Sequence, residues 1–343
     1  MNHPANNTTS VSCSSVPHLP LPIAERLSPE LRAVFIFKIA VNAVSCPFVI
    51  LLNILVMMAV KTNRQLRSKS NVSLACLATT DLIVGLVVQP LQIARQSFIL
   101  KGEIDMCSGI PKITVAITTK CIIASLNHLV VLSAERYLAI KHPFAYESLV
   151  TEVRIVIASG LAWAVAIILP MEDFWPSKIR NVTKTAVLVM QFIFLVLLFY
   201  FNISVYSEVR RNEKQIIANQ VSLEAKEKLI KNKKAFYLTI ILLLTIFLCY
   251  FSVIISAVVI RSVLKDRIRN NAKHIIFNLV SLLAVLNSLF NPLIYAVRIR
   301  YFRVAFIQLL SRKTIAQAEQ LETNIFGSIQ IGDVANQGES RLS

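Results

Sequence analysis

Two charged side chains, Glu135 and Arg136, stand side by side at the end of a long apolar segment, in the stretch LSAERYLAIKHP. Charged residues at the edge of a hydrocarbon-like segment cost free energy unless something uses them. An acid and an arginine can form an ion pair. The plain alternative is an interfacial arginine that reaches the phosphate headgroups, which would not need an acid beside it.

Two further features lie inside apolar runs. Asp81 is a lone carboxylate in the middle of one run, where an unpaired charge would cost several kcal/mol. Pro292, in the stretch NPLIY, removes a backbone hydrogen bond and bends its helix. Because the bend lies one turn above Tyr295, that tyrosine can swing between two positions.

The elements that carry these residues are long apolar runs. The chain has 343 residues, 55% of them hydrophobic. A helix needs about 20 residues to cross the hydrocarbon core, and lipid cannot satisfy free backbone groups, so each span is predicted to be a helix. The sequence therefore predicts an all-α membrane protein with seven spans: Ile39–Val60, Ser70–Ala94, Cys121–Ala134 with a helical extension before it, Ile155–Met171, Thr185–Ser207, Ala235–Ile260 and Ile275–Val297.

The loops predict the orientation. Residues 1–30 lack the apolar core of a cleavable signal peptide, so the first span is expected to act as the anchor. Lys and Arg are more numerous in the loops that face the cytoplasm when the N-terminus is outside. The glycosylation sequons at Asn6, Asn7 and Asn181 then also lie outside. We predict a multi-pass plasma-membrane glycoprotein with an extracellular N-terminus and a cytoplasmic C-terminus.

Taken in order, these marks resemble the rhodopsin-like (class A) family of G-protein-coupled receptors. ERY ends the third span and NPLIY lies near the end of the seventh, and the resemblance covers residues 33 to about 312. A short second outer loop and a fifth span without proline are loosely similar to the melanocortin, cannabinoid and lysophospholipid branch, but no subfamily is assigned. The resemblance implies a seven-transmembrane bundle with a short amphipathic eighth helix. It divides the chain into an extracellular glycosylated tail (1–32), the bundle (33–298), an amphipathic membrane-surface helix (299–312) and a disordered cytoplasmic tail (313–343).

The resemblance also implies an activation switch. In the family, the third-span arginine pairs with the neighbouring acid at rest and is released toward the G protein on activation. Here this makes Glu135 the resting partner of Arg136, with Tyr206 and Tyr295 as later partners. The expected switch residues are Glu135, Arg136, Tyr137, Tyr206, Tyr250, Asn291, Pro292 and Tyr295.

A sodium ion near Asp81 is the one cofactor that the resemblance suggests, as an allosteric ion, and none is required. The alternative is a protonated, hydrogen-bonded Asp81 with no ion. The candidate sodium site is formed by Asp81, Ser125, Asn287, Ser288 and Asn291.

The sixth span departs from the family pattern. It carries CYFS, with Tyr250 in place of the usual tryptophan and no kinking proline. Asn232 stands near the position where an acid often contacts the third-span arginine. We therefore expect raised activity without ligand.

The outer disulfide of the family is also in doubt. The second outer loop, Glu172–Lys184, has no cysteine. A bridge between Cys13 and Cys107 and a pair of free thiols remain as alternatives.

Polar residues in the outer halves of the spans indicate where a ligand would bind and of what kind it would be. Amine receptors place an aspartate in the outer half of the third span, where this chain has Thr118 and Thr119. The basic stretch RSVLKDRIRNNAK before the seventh span would attract an anionic ligand, although it could equally contact lipid headgroups. The expected pocket residues are Gln92, Arg95, Thr118, Thr119, Gln191, Tyr250, His274 and Asn278.

The expected partners follow from the receptor prediction. They are a heterotrimeric G protein, arrestin, receptor kinases, membrane lipid and an extracellular ligand of anionic character, and no nucleic acid. Five scattered histidines form no hydrolase motif, so no enzyme is expected. A multi-span transporter of a small anionic solute is the alternative, but the chain has seven glycines and no visible repeat.

Overall fold

The structure is a computed structural model, and it describes residues 27–63, 66–102, 109–168, 177–218 and 267–325. These residues contain helices and no strand. The helices are α1 (Pro29–Thr62), α2 (Lys69–Ile83), α3 (Gln89–Lys101), α4 (Gly109–Lys141), α5 (Pro143–Leu149), α6 (Glu152–Ile168), α7 (Ser177–Ala218), α8 (Arg267–Arg298), α9 (Arg300–Ser311) and α10 (315–325).

Local sequence explains where α1 and α3 begin and end. The Ser28 side chain accepts a hydrogen bond of 3.3 Å from the backbone N–H of Leu31, and Pro29 occupies the first turn, where its missing N–H costs nothing. The end of α3 is set by Gly102, whose φ of 72° favours a residue without a Cβ.

The second predicted span consists of α2, one π-helical turn (Val84–Val88) and α3. Gly85 in this turn lies against α1: a Cβ there would come within 2.9 Å of the Ile50 side chain. The Cys46 thiol donates a 3.2 Å hydrogen bond to the Gly85 carbonyl. The turn therefore brings two backbones close together and joins the halves of the span.

Five helices of the described ranges are long and apolar enough to cross a membrane: Pro29–Thr62, Lys69–Lys101, Ile113–Lys141, Thr185–Asn212 and His274–Val297. The pair α5–α6, bent by 78°, supplies a sixth if it is counted as one span. The remaining predicted span, Ala235–Ile260, lies outside the described residues.

The described helices surround a shared core. α1 and α8 run in the same direction and lie side by side. Hydrogen bonds join them, among them one from Lys38 to Ser281 and one, farther along α1, from Asn53 to the backbone carbonyl of Ser288. α4 packs on α2, α6 and α7. We call the end at which α1 begins the upper end, and the end that carries α9 the lower end. The main apolar cluster, which includes Tyr295, lies toward the lower end.

Two boundary predictions are corrected. The predicted disordered tail (313–343) contains a helix, α10, because Ala318 and Glu322 bury one face of it and Glu322 binds two arginines. α7 begins at Ser177, so Asn181 belongs to that helix rather than to a loop.

Candidate functional site

At the lower end, Glu135 is the centre of a buried polar group. The side chain of Glu135 is 3% exposed, and its Oε2 lies 3.3 Å from the Nε atom of Arg136. The hydroxyls of Ser70 and Tyr146 each donate a 2.6 Å hydrogen bond to Oε1. Beyond its ion pair with Arg136, the carboxylate therefore receives one side chain from α2 and one from α5. We call these four residues the Glu135 cluster.

Tyr146 is held as a hydrogen-bond donor. Burial raises its pKa, and the hydrogen bond to Glu135 and the charge of that residue raise it further. Lys69 lies over the ring at 4.7 Å and also pairs with Glu147 at 2.9 Å. Sequence reasoning missed Ser70 and Tyr146, because neither belongs to the ERY motif.

The two other tyrosines predicted on this side take different positions. Tyr137 packs against α7, with its ring centroid 5.3 Å from that of Phe201. Tyr206 is 40% exposed, and the Arg210 guanidinium lies 5.2 Å from its ring centroid. The role of Tyr206 as a later partner of Arg136 stays a prediction.

At mid-depth, Asp81 is fully buried and bonded to α8. The Asn291 amide donates a 2.7 Å hydrogen bond to Asp81 Oδ2. Within the described ranges, four buried oxygens of the predicted group have no hydrogen-bond partner: Asp81 Oδ1, Ser125 Oγ, Asn287 Oδ1 and Asn291 Oδ1. Such orphaned oxygens are the ligands that a hard cation prefers, so these residues fit the ion that the sequence suggested.

Below this group, α8 passes through Pro292 and presents Tyr295 to the apolar core. Tyr295 is 1% exposed and stacks on Phe302 of α9, with ring centroids 5.8 Å apart. Its hydroxyl has no hydrogen-bond partner within the described ranges. The predicted hinge thus lies between the Asp81 group and α9.

At the upper end, the predicted pocket residues divide. Gln92 and Thr118 face each other, with the Gln92 amide 3.5 Å from the Thr118 hydroxyl, which itself bonds to the Thr114 carbonyl. Thr119 is exposed, since neighbouring residues of a helix point in different directions. Gln191 is partly buried on α7.

Arg95, His274 and Asn278 are all buried. Asn278 is hydrogen-bonded to Lys38, a residue that sequence reasoning missed. Lys38 of α1 is 1% exposed and donates hydrogen bonds to Asn278 Oδ1, at 3.4 Å, and to Ser281 Oγ. A signal was available: apolar residues flank Lys38 on both sides in AVFIFKIAV, so it lies within the helix rather than before it.

Other predicted site residues lie outside the described residues: Tyr250, Asn6, Asn7, Cys13 and Cys107. Asn181 is described as part of α7 through its backbone only.

The described polar residues thus form three groups at three depths, connected by α4 and α8. In this arrangement, no group of three or more metal-binding His, Cys, Asp or Glu side chains occurs in the part of the chain that the structure describes. What it can do is hold helices in one relative position through buried ion pairs and hydrogen bonds.

Comparisons with known proteins add a family. Residues 52–184 match the model of the seven-transmembrane receptors of the rhodopsin family. The histamine H2 receptor of Rattus norvegicus is 31% identical over 283 residues, which cover 76% of this chain and 75% of that receptor. The muscarinic acetylcholine receptor M5 of Homo sapiens is 34% identical over 164 residues, which cover 48% of this chain and 29% of that receptor.

Proposed function

This chain belongs to the rhodopsin family of seven-transmembrane receptors, and we propose that it binds an extracellular ligand at the upper end of its bundle and activates a heterotrimeric G protein at the lower end. It is a G-protein-coupled receptor, a multi-pass membrane protein, and not an enzyme. We also propose that the upper end faces the outside of the cell and that the receptor signals in the absence of ligand.

The observation that carries the proposal is the Glu135 cluster. Arg136 is 21% exposed at the lower end, while its counter-charge, Glu135, is buried and held by two hydroxyls. An arginine in that position is available to a partner once its ion pair opens. Glu135 is fixed by other elements, so release of Arg136 does not require the acid to move.

The ligand is proposed to be anionic rather than an amine. The relatives named above are receptors for histamine and acetylcholine, but residues 109–134 of this chain contain no Asp or Glu that could bind an ammonium group. The upper end instead buries Arg95 and Lys38. This charge supports an anionic ligand.

A sodium ion near Asp81 is a second element of the proposal. Asp81, Ser125, Asn287, Ser288 and Asn291 would hold it. When bound, the ion would neutralise the buried carboxylate and hold α2, α4 and α8 together. We also propose arrestin, receptor kinases and membrane lipid as partners, in keeping with the receptor family.

The test measures nucleotide exchange on a panel of purified Gα subunits by membranes that contain the receptor without added ligand. We expect wild type to accelerate exchange on at least one Gα, and Arg136→Ala to abolish this. Arg67→Ala is the matched control, because Arg67 forms an exposed ion pair with Glu152 at the same end and should retain the activity. Exchange equal to that of receptor-free membranes on every Gα would refute signalling in the absence of ligand, and exchange unaffected by Arg136→Ala would refute the role of Arg136.

A further inference from the structure

Lys38, Arg95 and Asn278 lie at one level between α1, α3 and α8. Each stands one helical turn below a member of an apolar cluster that joins the same three helices: Phe35 for Lys38, Ile99 for Arg95 and Ile275 for Asn278. The charge of Arg95 is close enough to act on Lys38. The three helices therefore enclose two cationic side chains, one 1% and the other 5% exposed.

These two cations lack a counter-charge among the described residues. Lys38 bonds to the neutral groups of Asn278 and Ser281, which leaves one of its three N–H donors. The Nε atom of Arg95 has no hydrogen-bond partner within the described ranges. The nitrogen and the oxygen of the buried Gln96 side-chain amide also have none there.

The acids in the described ranges are all engaged elsewhere or distant. Glu30 is exposed in the first turn of α1, and its carboxylate is bonded by Ser28. Asp81 is bonded by Asn291 and lies 14 residues from Arg95, or about 21 Å along the helical span. The other described acids belong to the lower ends of α4 and α7, or to α5, α6 and α10.

Two adjacent buried cations without an anion are costly, because each loses its hydration and each repels the other. Arg95 cannot lower this cost by losing its proton, since guanidinium remains charged in proteins. A planar guanidinium with a free Nε–H and a nearby ammonium match the geometry of a carboxylate or phosphate.

We propose that Lys38 and Arg95 form a binding site for the oxyanion group of a ligand, between α1, α3 and α8 at the upper end. Arg95 donates hydrogen bonds to the oxyanion, and Lys38, held by Asn278 and Ser281, supplies the second charge. This rests on the proposed function, because it names the group by which the receptor recognises its anionic ligand. The oxyanion has two sources to distinguish, a soluble anion and an anionic lipid headgroup.

The test uses the full chain in nanodiscs and measures its thermal unfolding midpoint, which a bound anion raises. In the first arm, the lipid is phosphatidylcholine alone, and sodium phosphate or sodium acetate is titrated at constant ionic strength. In the second arm, no oxyanion is added to the buffer and phosphatidic acid replaces part of the phosphatidylcholine. We expect wild type to show a saturable rise in one of these arms.

Four variants assign the effect. Arg95→Gln and Lys38→Met should each weaken the apparent affinity about tenfold or more. Arg95→Lys should restore part of it, because it restores the charge without the planar fork. Arg32→Gln is the control, since Arg32 is an exposed residue of α1 and should leave the affinity unchanged. If Arg95→Gln does not fold, Lys38→Met carries the test.

A rise in the phosphate or acetate arm supports the site with a soluble ligand, and a rise confined to the phosphatidic acid arm supports it with a lipid headgroup. No rise in either arm, or a rise that Arg95→Gln and Lys38→Met leave unchanged, overturns it. Binding and ligand-free coupling fail separately: wild type that accelerates nucleotide exchange but shows no anion effect refutes the oxyanion site alone, and the reverse result refutes ligand-free coupling alone.

Discussion

The two ends of the bundle differ in whether their buried charges are paired. At the lower end, the carboxylate of Glu135 has an arginine beside it and accepts two hydroxyl hydrogen bonds, from Ser70 and Tyr146. At the upper end, Lys38 and Arg95 are as deeply buried, yet the described residues supply no acid to either of them.

At the lower end, the buried charge is thus balanced by residues of the protein itself. At the upper end, the two buried cations need an anion that the described residues do not supply. Breaking a buried ion pair is costly because one charge is left behind, whereas removing a buried charge that has no counter-charge relieves a cost. Neutralising one charge at each end should therefore change stability in opposite directions.

The largest expected effect is that of Glu135→Gln. Arg136 loses its counter-charge, and Ser70 and Tyr146 lose a charged acceptor, so the free energy of unfolding should fall by about 3 kcal/mol. Nucleotide exchange without ligand should rise several-fold, because Arg136 is no longer held. Thermal unfolding and Gα exchange measure the two effects.

Glu147→Gln is the control for that change, since Glu147 is 77% exposed in its pair with Lys69 and should alter stability by about 0.5 kcal/mol or less. Equal results for the two variants would contradict the view that Glu135 holds Arg136.

The opposite sign is expected at the upper end for Lys38→Met. Methionine has a similar length and no charge, so in oxyanion-free buffer the free energy of unfolding should rise by about 2 kcal/mol. Lys61→Met, at an exposed position of the same helix, should change it by about 0.5 kcal/mol or less. A fall in stability for Lys38→Met would mean that a counter-charge or the hydrogen bonds to Asn278 and Ser281 outweigh the cost of burying the ammonium, and the contrast between the ends would disappear.

The sequence could predict the lower end better than the upper end for a physical reason. Glu135 and Arg136 are neighbours in the chain, so the motif itself contains the ion pair. Lys38 and Asn278 are 240 residues apart, and spacing shows which face of a helix a residue occupies but not which helix lies opposite. The same limit applies to Ser70 and Glu135, which are 65 residues apart.

Composition misled the prediction in two other places. Counting uncharged runs began the first span at Ile39 and so left Lys38 just outside that run, although α1 begins at Pro29. The polar composition of the tail (313–343) predicted disorder throughout it, including the residues that form α10. That helix is ordered here by contacts that composition does not reveal: a buried Ala318, and Glu322 four residues later, bound by arginines of α9.

A smaller effect is expected for Tyr146→Phe, which removes one of the two hydroxyl donors to Glu135 and leaves the ion pair in place. The phenol stays protonated well above neutral pH, because burial and Glu135 raise its pKa, so wild type keeps this bond throughout the physiological range. Its loss should lower the free energy of unfolding by about 1.5 kcal/mol and raise ligand-free exchange less than Glu135→Gln does. Tyr301→Phe, on the exposed side of α9, should leave both quantities unchanged. An increase in exchange as large as that of Glu135→Gln would shift the main restraint from the ion pair to the hydroxyl.

The smallest expected effect concerns α10, which adds a second fully paired acid to the lower end. Glu322 accepts hydrogen bonds from Arg300 at 2.9 Å and from Arg303 at 2.9 and 2.7 Å. Burial raises the pKa of Glu322, but these hydrogen bonds and the two positive charges outweigh burial, and the net pKa is lowered. The undocked carboxylate therefore binds a proton more readily than the docked one.

It follows that the contribution of Glu322 to docking is complete above the ordinary glutamate pKa and is lost as pH falls through the lowered value. A spin label on Ile325→Cys should report an immobile α10 at neutral pH and a mobile one in acid. Glu322→Gln should weaken docking at neutral pH by about 1 kcal/mol, or about fivefold in the docked-to-undocked ratio, because Arg300 is largely exposed. Glu319→Gln, an exposed acid of the same helix, should leave label mobility unchanged. If Glu322→Gln also leaves it unchanged, the apolar contact of Ala318 holds α10, and the lower end depends on charge pairing at the Glu135 cluster but not at the tail.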